Sequence, residues 1–468
     1  MTLCNSQAFI DQPVAKLLWR NSLPMIAAIM ALFAYDLLES TLLAFQSEHV
    51  LTAFGFTLPI TAAMTALAIG LSIRANNKVV HCNCTDKANL AQTISNSLMT
   101  CLLIVTLCSC LFFIASEQLL SLTGNRIWTD GINNTAAIVQ SDYLNIRYFG
   151  WVFMALTWQI NATLRALGWM NIASGLMLSW ALCKSFLAVI ILTPQSPFYA
   201  NSLETLGFVH LISDALFTFI SLLFLQKKVM LKSPQFSTLF SSILRQKRDS
   251  SLIVIQQFIT PISMAALTAI AANMDTSYVA TLALLFRLEV LFLLLPMVLT
   301  TSMPAIIGAN YWLGHKERVK NLYKLAFSSI AIFQLIVALI VFSQSYFLSS
   351  FLCPHHAISM NLESYLNWVP WGYGAAGIAI VFQSCLNAKN LTVLATLITL
   401  CHRIIFVLPL SALGAFAFNE LGFYQGLMLG HLSAIIPVFF VLHRFGYINK
   451  QHQSLLNKNT LKGITNES

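Results

Sequence analysis

Asp36 and Glu39 stand three residues apart inside a long apolar run, so on a helix they share one face. Two carboxylates that close in a low-dielectric medium resist double ionisation, the property a proton-coupled device needs. Further ionisable residues lie inside other apolar runs: Lys184, His210 with Asp214, Arg287 with Glu289, and His402 with Arg403. A charge at the centre of a bilayer costs at least about 2.5–3.5 kcal/mol, so each is a functional candidate by default. Arg287 and Glu289 are two residues apart and point to different helix faces, so they should not pair with each other. Glu289 and Arg403 match in depth and could bridge two helices. Asp214 lies one turn from His210; the two could relay protons, or form a structural hydrogen bond. Gln159 and Gln383 should bond across helices, with a cavity role open. Aromatic residues crowd the same segments, among them Trp158, Trp368, Trp371 and Tyr373. Their faces attract organic cations, although most such residues pack the core or anchor the membrane interface.

Positioning these groups requires a membrane frame. Of the 468 residues, 57% are hydrophobic and 9% charged, against roughly 25% charged in soluble domains. That excludes a soluble enzyme, a disordered chain and a disulfide scaffold. The runs are continuous rather than alternating, which argues for helices over a β-barrel. The expected fold is an all-α membrane protein with twelve spans, at 21–45, 51–75, 91–115, 137–164, 171–192, 203–226, 251–272, 277–301, 325–350, 362–386, 391–414 and 421–443. Most of the 26 lysines and arginines fall on one side of this arrangement, which predicts cytoplasmic N- and C-termini and an inner (plasma) membrane location. The net charge of +9 lies in the loops, so no nucleic-acid partner is expected. No cleavable signal peptide is read at the start.

Ordered echoes divide the chain in two. Tyr143-Leu144-Asn145 opens span four and Tyr365-Leu366-Asn367 opens span ten; Leu206-Gly207-Phe208 and Leu421-Gly422-Phe423 open spans six and twelve. The expected organisation is a six-helix lobe over 1–226, a basic linker over 227–250, a second six-helix lobe over 251–446 and a cytoplasmic tail over 447–468. Parallel repeats of this kind are transporter architecture, with substrate handled between the halves. The ten cysteines read as small core residues. His81, Cys82 and Cys84 share a loop in this reading, with no second cluster to complete a metal site. There is no Walker loop, H-E-x-x-H or serine elbow, so neither an enzyme nor direct ATP coupling is expected, and no cofactor or metal.

The sequence resembles the multidrug and toxic compound extrusion (MATE) family across about residues 12–446. The likeness is carried by Leu17-Leu18-Trp19-Arg20-Asn21-Ser22-Leu23-Pro24-Met25, Leu58-Pro59-Ile60, Ala66-Leu67-Ala68-Ile69-Gly70-Leu71, Leu164-Arg165-Ala166-Leu167-Gly168, Phe286-Arg287-Leu288-Glu289 and the turn around Gly308–Gly314. The resemblance implies a V-shaped antiporter that exports organic, often cationic, compounds in exchange for H+ or Na+. It also exposes departures. The family usually has Asn and Asp where this chain has Asp36 and Glu39, and commonly Asn and Asp where it has Lys184 and Ala188. Losing those oxygens disfavours a sodium site in the first lobe. At 1.5 Å per residue, Glu39 and Lys184 lie roughly 27 and 20 Å from the cytoplasmic end, so Lys184 could reach Asp36 or Glu39. There it would either swap with moving protons or lock the lobe.

The expectation is therefore a monomeric secondary transporter of small organic molecules. Asp36, Glu39, Lys184, Asp214 and Glu289 would couple ions; Trp158, Gln159, Arg287, Gln383 and Arg403 would line the substrate cavity. The competing reading is a lipid-linked sugar or lipid flippase, kept open by Lys184, Arg287 and Arg403.

Overall fold

The computed structural model describes residues 14–85, 87–125, 135–193, 203–229, 231–233, 248–312, 314–389 and 391–445. The first half contains α1 (Val14–Gln46), α2 (Glu48–Thr85), α3 (Leu90–Ile114), the short α4 (Ser116–Leu122), α5 (Thr135–Ala166), α6 (Met170–Leu192) and α7 (Leu203–Lys228). The second half contains α8 (Arg248–Met274), α9 (Thr276–Phe292), α10 (Leu294–Trp312), α11 (Lys316–Ser343), α12 (Ser345–Leu352), α13 (His356–Trp368), α14 (Tyr373–Ala388), α15 (Thr392–Leu400), α16 (Leu408–Leu432) and α17 (Ile435–Phe445).

Among the described residues, nine helices are long and apolar enough to cross a membrane, or ten with α9 and α10 taken as one span bent by 50°. The run Thr392–Arg444 counts there as one helix, yet it reverses at Phe418 and Asn419, where Asn419 takes φ 51°. With its two legs separated and α5 included, the chain crosses twelve times. Outward faces carry bare apolar groups, such as Phe416 at 91% exposure and Ile114 at 77%. In water that surface would aggregate; in lipid it is the solvent-facing side.

Three expected spans are not straight. Span eight breaks at Leu293, before Pro296, and becomes α9 and α10. Span ten breaks at the 3₁₀ turn Val369–Gly372, which holds Pro370. Span eleven passes through a π-helical stretch, Cys401–Val407. Proline removes a backbone donor, which accounts for the break in span ten and favours the one in span eight. A further correction concerns His81, Cys82 and Cys84: α2 continues to Thr85, so they lie on a helix rather than a loop, and Cys82 is buried. Most of the expected 227–250 linker lies outside the described residues.

Two of the turns named in the sequence depend on glycine. After α5, Gly168 sits at φ +82°, and Trp169 N–H donates to the Leu164 carbonyl at 3.0 Å. After α10, Gly314 sits at φ +76°, and His315 N–H donates to the Asn310 carbonyl at 3.0 Å. Both are left-handed helix ends that a side chain would strain.

The halves meet along α2, which packs on α8 and α9, and along α1, which packs on α9 and α10. Near one end, a Cβ on Gly55 would stand 2.7 Å from the Val279 carbonyl oxygen; near the other, one on Gly70 would stand 3.2 Å from the Val254 Cα. Met25, Ala28 and Ile29 of α1 pack with Val298 of α10. The halves therefore touch close to both membrane faces.

Candidate ion and substrate site

One helical turn of α1 carries Tyr35, which faces His210 of the first half, and Asp36 and Glu39, which reach the second half. Glu39 is fully buried, and its Oε1 lies 2.7 Å from His210 Nε2 on α7. The other His210 nitrogen, Nδ1, lies 3.3 Å from Lys184 Nζ on α6. These contacts fit a neutral imidazole that donates from Nε2 and accepts at Nδ1, an assignment made from the network. Lys184 in turn reaches Asp214 Oδ1 of α7 at 2.7 Å. The Trp180 indole N–H donates to the same oxygen at 3.0 Å, and the Lys184 ammonium stands over the Trp180 ring at 4.3 Å. Arg147 of α5 closes on Asp214 Oδ2 at 3.9 Å.

The line continues across the molecule's seam. Arg287 of α9 lies 3.4 Å from Asp36 Oδ2 and 3.5 Å from Glu39 Oε2. An unbroken sequence of polar contacts thus runs Asp214, Lys184, His210, Glu39, Arg287, Asp36. It holds three carboxylates and three fixed cations, Arg147, Lys184 and Arg287, around a neutral histidine. Each carboxylate already has a positive partner, which is how buried charge is tolerated.

This corrects several expectations. Lys184 does not reach Asp36 or Glu39; its direct carboxylate partner is Asp214, with His210 interposed before Glu39. Depth placed Lys184 near α1, and α6 does pack on α1, but the side chain turns to α7, which supplies both partners. His210 bonds Glu39 rather than Asp214, because two residues on one helix at i, i+4 here serve different neighbours. Arg287, expected to line the substrate cavity, pairs with the carboxylates of the first half. Arg147, absent from the sequence-based candidates, is 7% exposed; its place well inside the long helix α5 is the signal that could have found it.

The second half has a smaller polar set. Arg403 donates to Glu289 Oε1 at 2.8 Å, the pairing that matched depths suggest. His402 Nε2 and His431 Nδ1 lie 3.2 Å apart, and the Tyr365 and Tyr373 hydroxyls are hydrogen-bonded together nearby. His431 escaped the sequence reading, although a lone histidine in the apolar run 427–436 could have flagged it. Gln383 accepts from the Thr399 hydroxyl across helices. Gln159 does not match it: its side-chain oxygen is buried without a hydrogen-bond partner. Trp158 packs edge-on against Trp180, centroids 6.3 Å apart. Trp368 and Trp371 line a groove with Phe342, Asn367 and Met428, away from the charged cluster. No group of three or more potential metal ligands occurs among the described residues.

Comparison with known proteins now bears on this geometry. The MatE family profile matches residues 253–413. The FAD transporter of Shewanella oneidensis is 26% identical over 445 residues, 93% of this chain and 96% of that protein. The chain thus resembles the MATE family over part of its sequence. Its fold matches the bent form of the MATE transporter VcmN of Vibrio cholerae with TM-score 0.71 at 20% identity, over 92% of this chain and 96% of that one. A MOP-superfamily transporter of Pyrococcus furiosus matches with TM-score 0.76 at 17% identity, over 95% and 98% of the two chains. That protein is described as having a binding pocket of reverse polarity that suggests a different function. The chain thus has the all-helical fold of MATE transporters, with helices long and apolar enough to cross a membrane.

Proposed function

We propose that this protein is a MATE-type transporter and that it exports an aromatic, phosphate-bearing anion of the flavin-dinucleotide class. The observation that carries the reading is the set of three buried cations, Arg147, Lys184 and Arg287, which leaves no carboxylate of the cluster unopposed. A cationic drug entering here would have to displace a tethered cation first. An anion has the easier exchange, because Arg287 is only partly buried and its partner Asp36 is 37% exposed. The 26% likeness to an FAD transporter over nearly the whole chain supports the same class.

The charge arithmetic also suggests the energetics. An anion that takes Arg287 frees Asp36 or Glu39, and a freed carboxylate binds a proton more readily. Anion and proton binding therefore reinforce each other. A membrane potential negative inside drives an anion outward, by about 2.3 kcal/mol per charge per 100 mV. Transport by rocking 1–226 against 251–446 about 227–250, as a monomer in the inner membrane with both termini cytoplasmic, completes the proposal.

A second reading, export of organic cations in exchange for H+ or Na+, is favoured by one observation. Asp36 keeps solvent access despite its arginine partner, so a carboxylate remains within reach of a cation. Purified protein in FAD-loaded liposomes separates the two. Under an inside-negative diffusion potential, FAD should leave faster than from protein-free liposomes, and ethidium should not be carried by a pH or sodium gradient. Carriage of ethidium without FAD would overturn the anion reading.

A further inference from the structure

A second basic site lies in the first half, outside the charged cluster. Arg74 and Lys78 are one turn apart on α2 and face Ser97 and Thr100 of α3, with Gln159 of α5 closing the pocket they line. Arg74 is 6% exposed. Its Nε and Nη2 are buried with no hydrogen-bond partner, and so is Gln159 Oε1. Among the described residues, no carboxylate lines the pocket and no ion pair of Arg74 occurs.

Two guanidinium nitrogens stripped of water without a hydrogen-bond partner are an uncommon and unfavourable arrangement. The chain retains the charge, and its fork geometry suits two oxygens of one anion. Lys78, at the pocket's mouth and beyond the apolar part of α2, has its pKa pushed down by burial and then by the Arg74 charge. An arriving anion would relieve that repulsion. The pocket is narrow, about 20 Å³, enough for one oxygen-sized group. It would therefore take the oxygen edge of a ligand whose body stays outside.

We propose that Arg74 and Lys78 form a phosphate-binding site at the end of the first half where the basic loops gather. The phosphate comes either from a soluble phosphoryl compound or from a lipid headgroup. The site goes beyond the flavin reading and does not depend on it.

The test uses the full chain in nanodiscs of phosphatidylcholine, with inorganic pyrophosphate as probe, and in nanodiscs containing phosphatidylglycerol. Binding is followed by calorimetry and by the shift in unfolding temperature. Wild type should bind pyrophosphate, and Arg74→Gln should weaken it about tenfold or more, since charged hydrogen bonds are lost. Lys78→Gln should weaken it less. Loss of a stabilisation by phosphatidylglycerol in Arg74→Gln, without pyrophosphate binding, assigns the phosphate to a headgroup and supports the site. Gln159→Glu gives an independent check: its carboxylate should pair with Arg74, raise the unfolding temperature and block the phosphate. Arg74→Gln that responds to both probes as wild type does, or that no longer folds while Gln159→Glu leaves binding unchanged, would overturn the proposal.

Discussion

Lys184→Met is the sharpest perturbation of the charged cluster. The Lys184–Asp214 contact of 2.7 Å joins side chains that are 6% and 1% exposed, so solvent screening is weak. At an effective dielectric of about 20, the gross attraction is about 6 kcal/mol. Desolvation offsets much of that in the intact pair, but removing one partner leaves Asp214 charged and buried, at a cost of about 3–5 kcal/mol. Arg147, 3.9 Å from Asp214, and the Trp180 indole N–H soften the loss. The expected destabilisation is therefore about 3 kcal/mol, at the lower end. Adding Asp214→Asn removes the stranded charge and keeps an oxygen for Trp180. The double variant should return to within about 1 kcal/mol of wild type, with a coupling of about 2 kcal/mol or more in the cycle. Equilibrium unfolding in mixed micelles measures all four proteins. A single variant within about 0.5 kcal/mol of wild type, or no rescue in the double, would refute the account of Lys184 as an essential counter-charge.

Arg287→Gln should loosen the two halves. Its bond to the 37% exposed Asp36 is discounted to about 1 kcal/mol or less, while that to buried Glu39 counts for more, so separated conformers should rise several-fold. Spin-label distances between α1 and α9 report this, and an unchanged distribution would count against the contact as a clasp. Lys389, in the turn between α14 and α15, has its pKa lowered to about 8 by burial. Below pH 8 it is charged in both folded and unfolded protein and the burial penalty is complete; above its unfolded pKa of about 10.4 it is neutral in both. Stability should thus climb between those values, and Lys389→Met should remove that climb in thermal unfolding; an identical slope in the variant would contradict it.

Much of this molecule is legible in the sequence because apolar run length is a strong signal. Twelve crossings follow from it, and the left-handed ends at Gly168 and Gly314 follow from their turns. Charged residues within the spans could be named for the same reason, since oil makes each conspicuous. Their pairing could not be read, because it depends on helix rotation. Residue depth brought Lys184 to Glu39, and α6 does pack on α1; the rotation of α6 turns Lys184 to Asp214 and His210 of α7 instead. Arg287 and Glu289, two residues apart, serve opposite halves, and nothing in their spacing shows that α9 is the helix at the seam. Arg74 is not among the sequence candidates, because whether a counter-charge faces it is invisible in one dimension.

The reversal at Asn419 leaves two legs whose glycines stand opposite each other. A Cβ on Gly430 would come within 2.6 Å of the Val407 Cα, and Gly414, Gly422 and Gly426 have backbone equally close. Backbones in such contact have no side chains between them to slide upon. The last two crossings must travel as a single strut. The elbow at Leu293 and the notch at Val369–Gly372, which flank the helices bearing Arg287, Glu289 and Tyr373, lie outside that strut and are left free to bend.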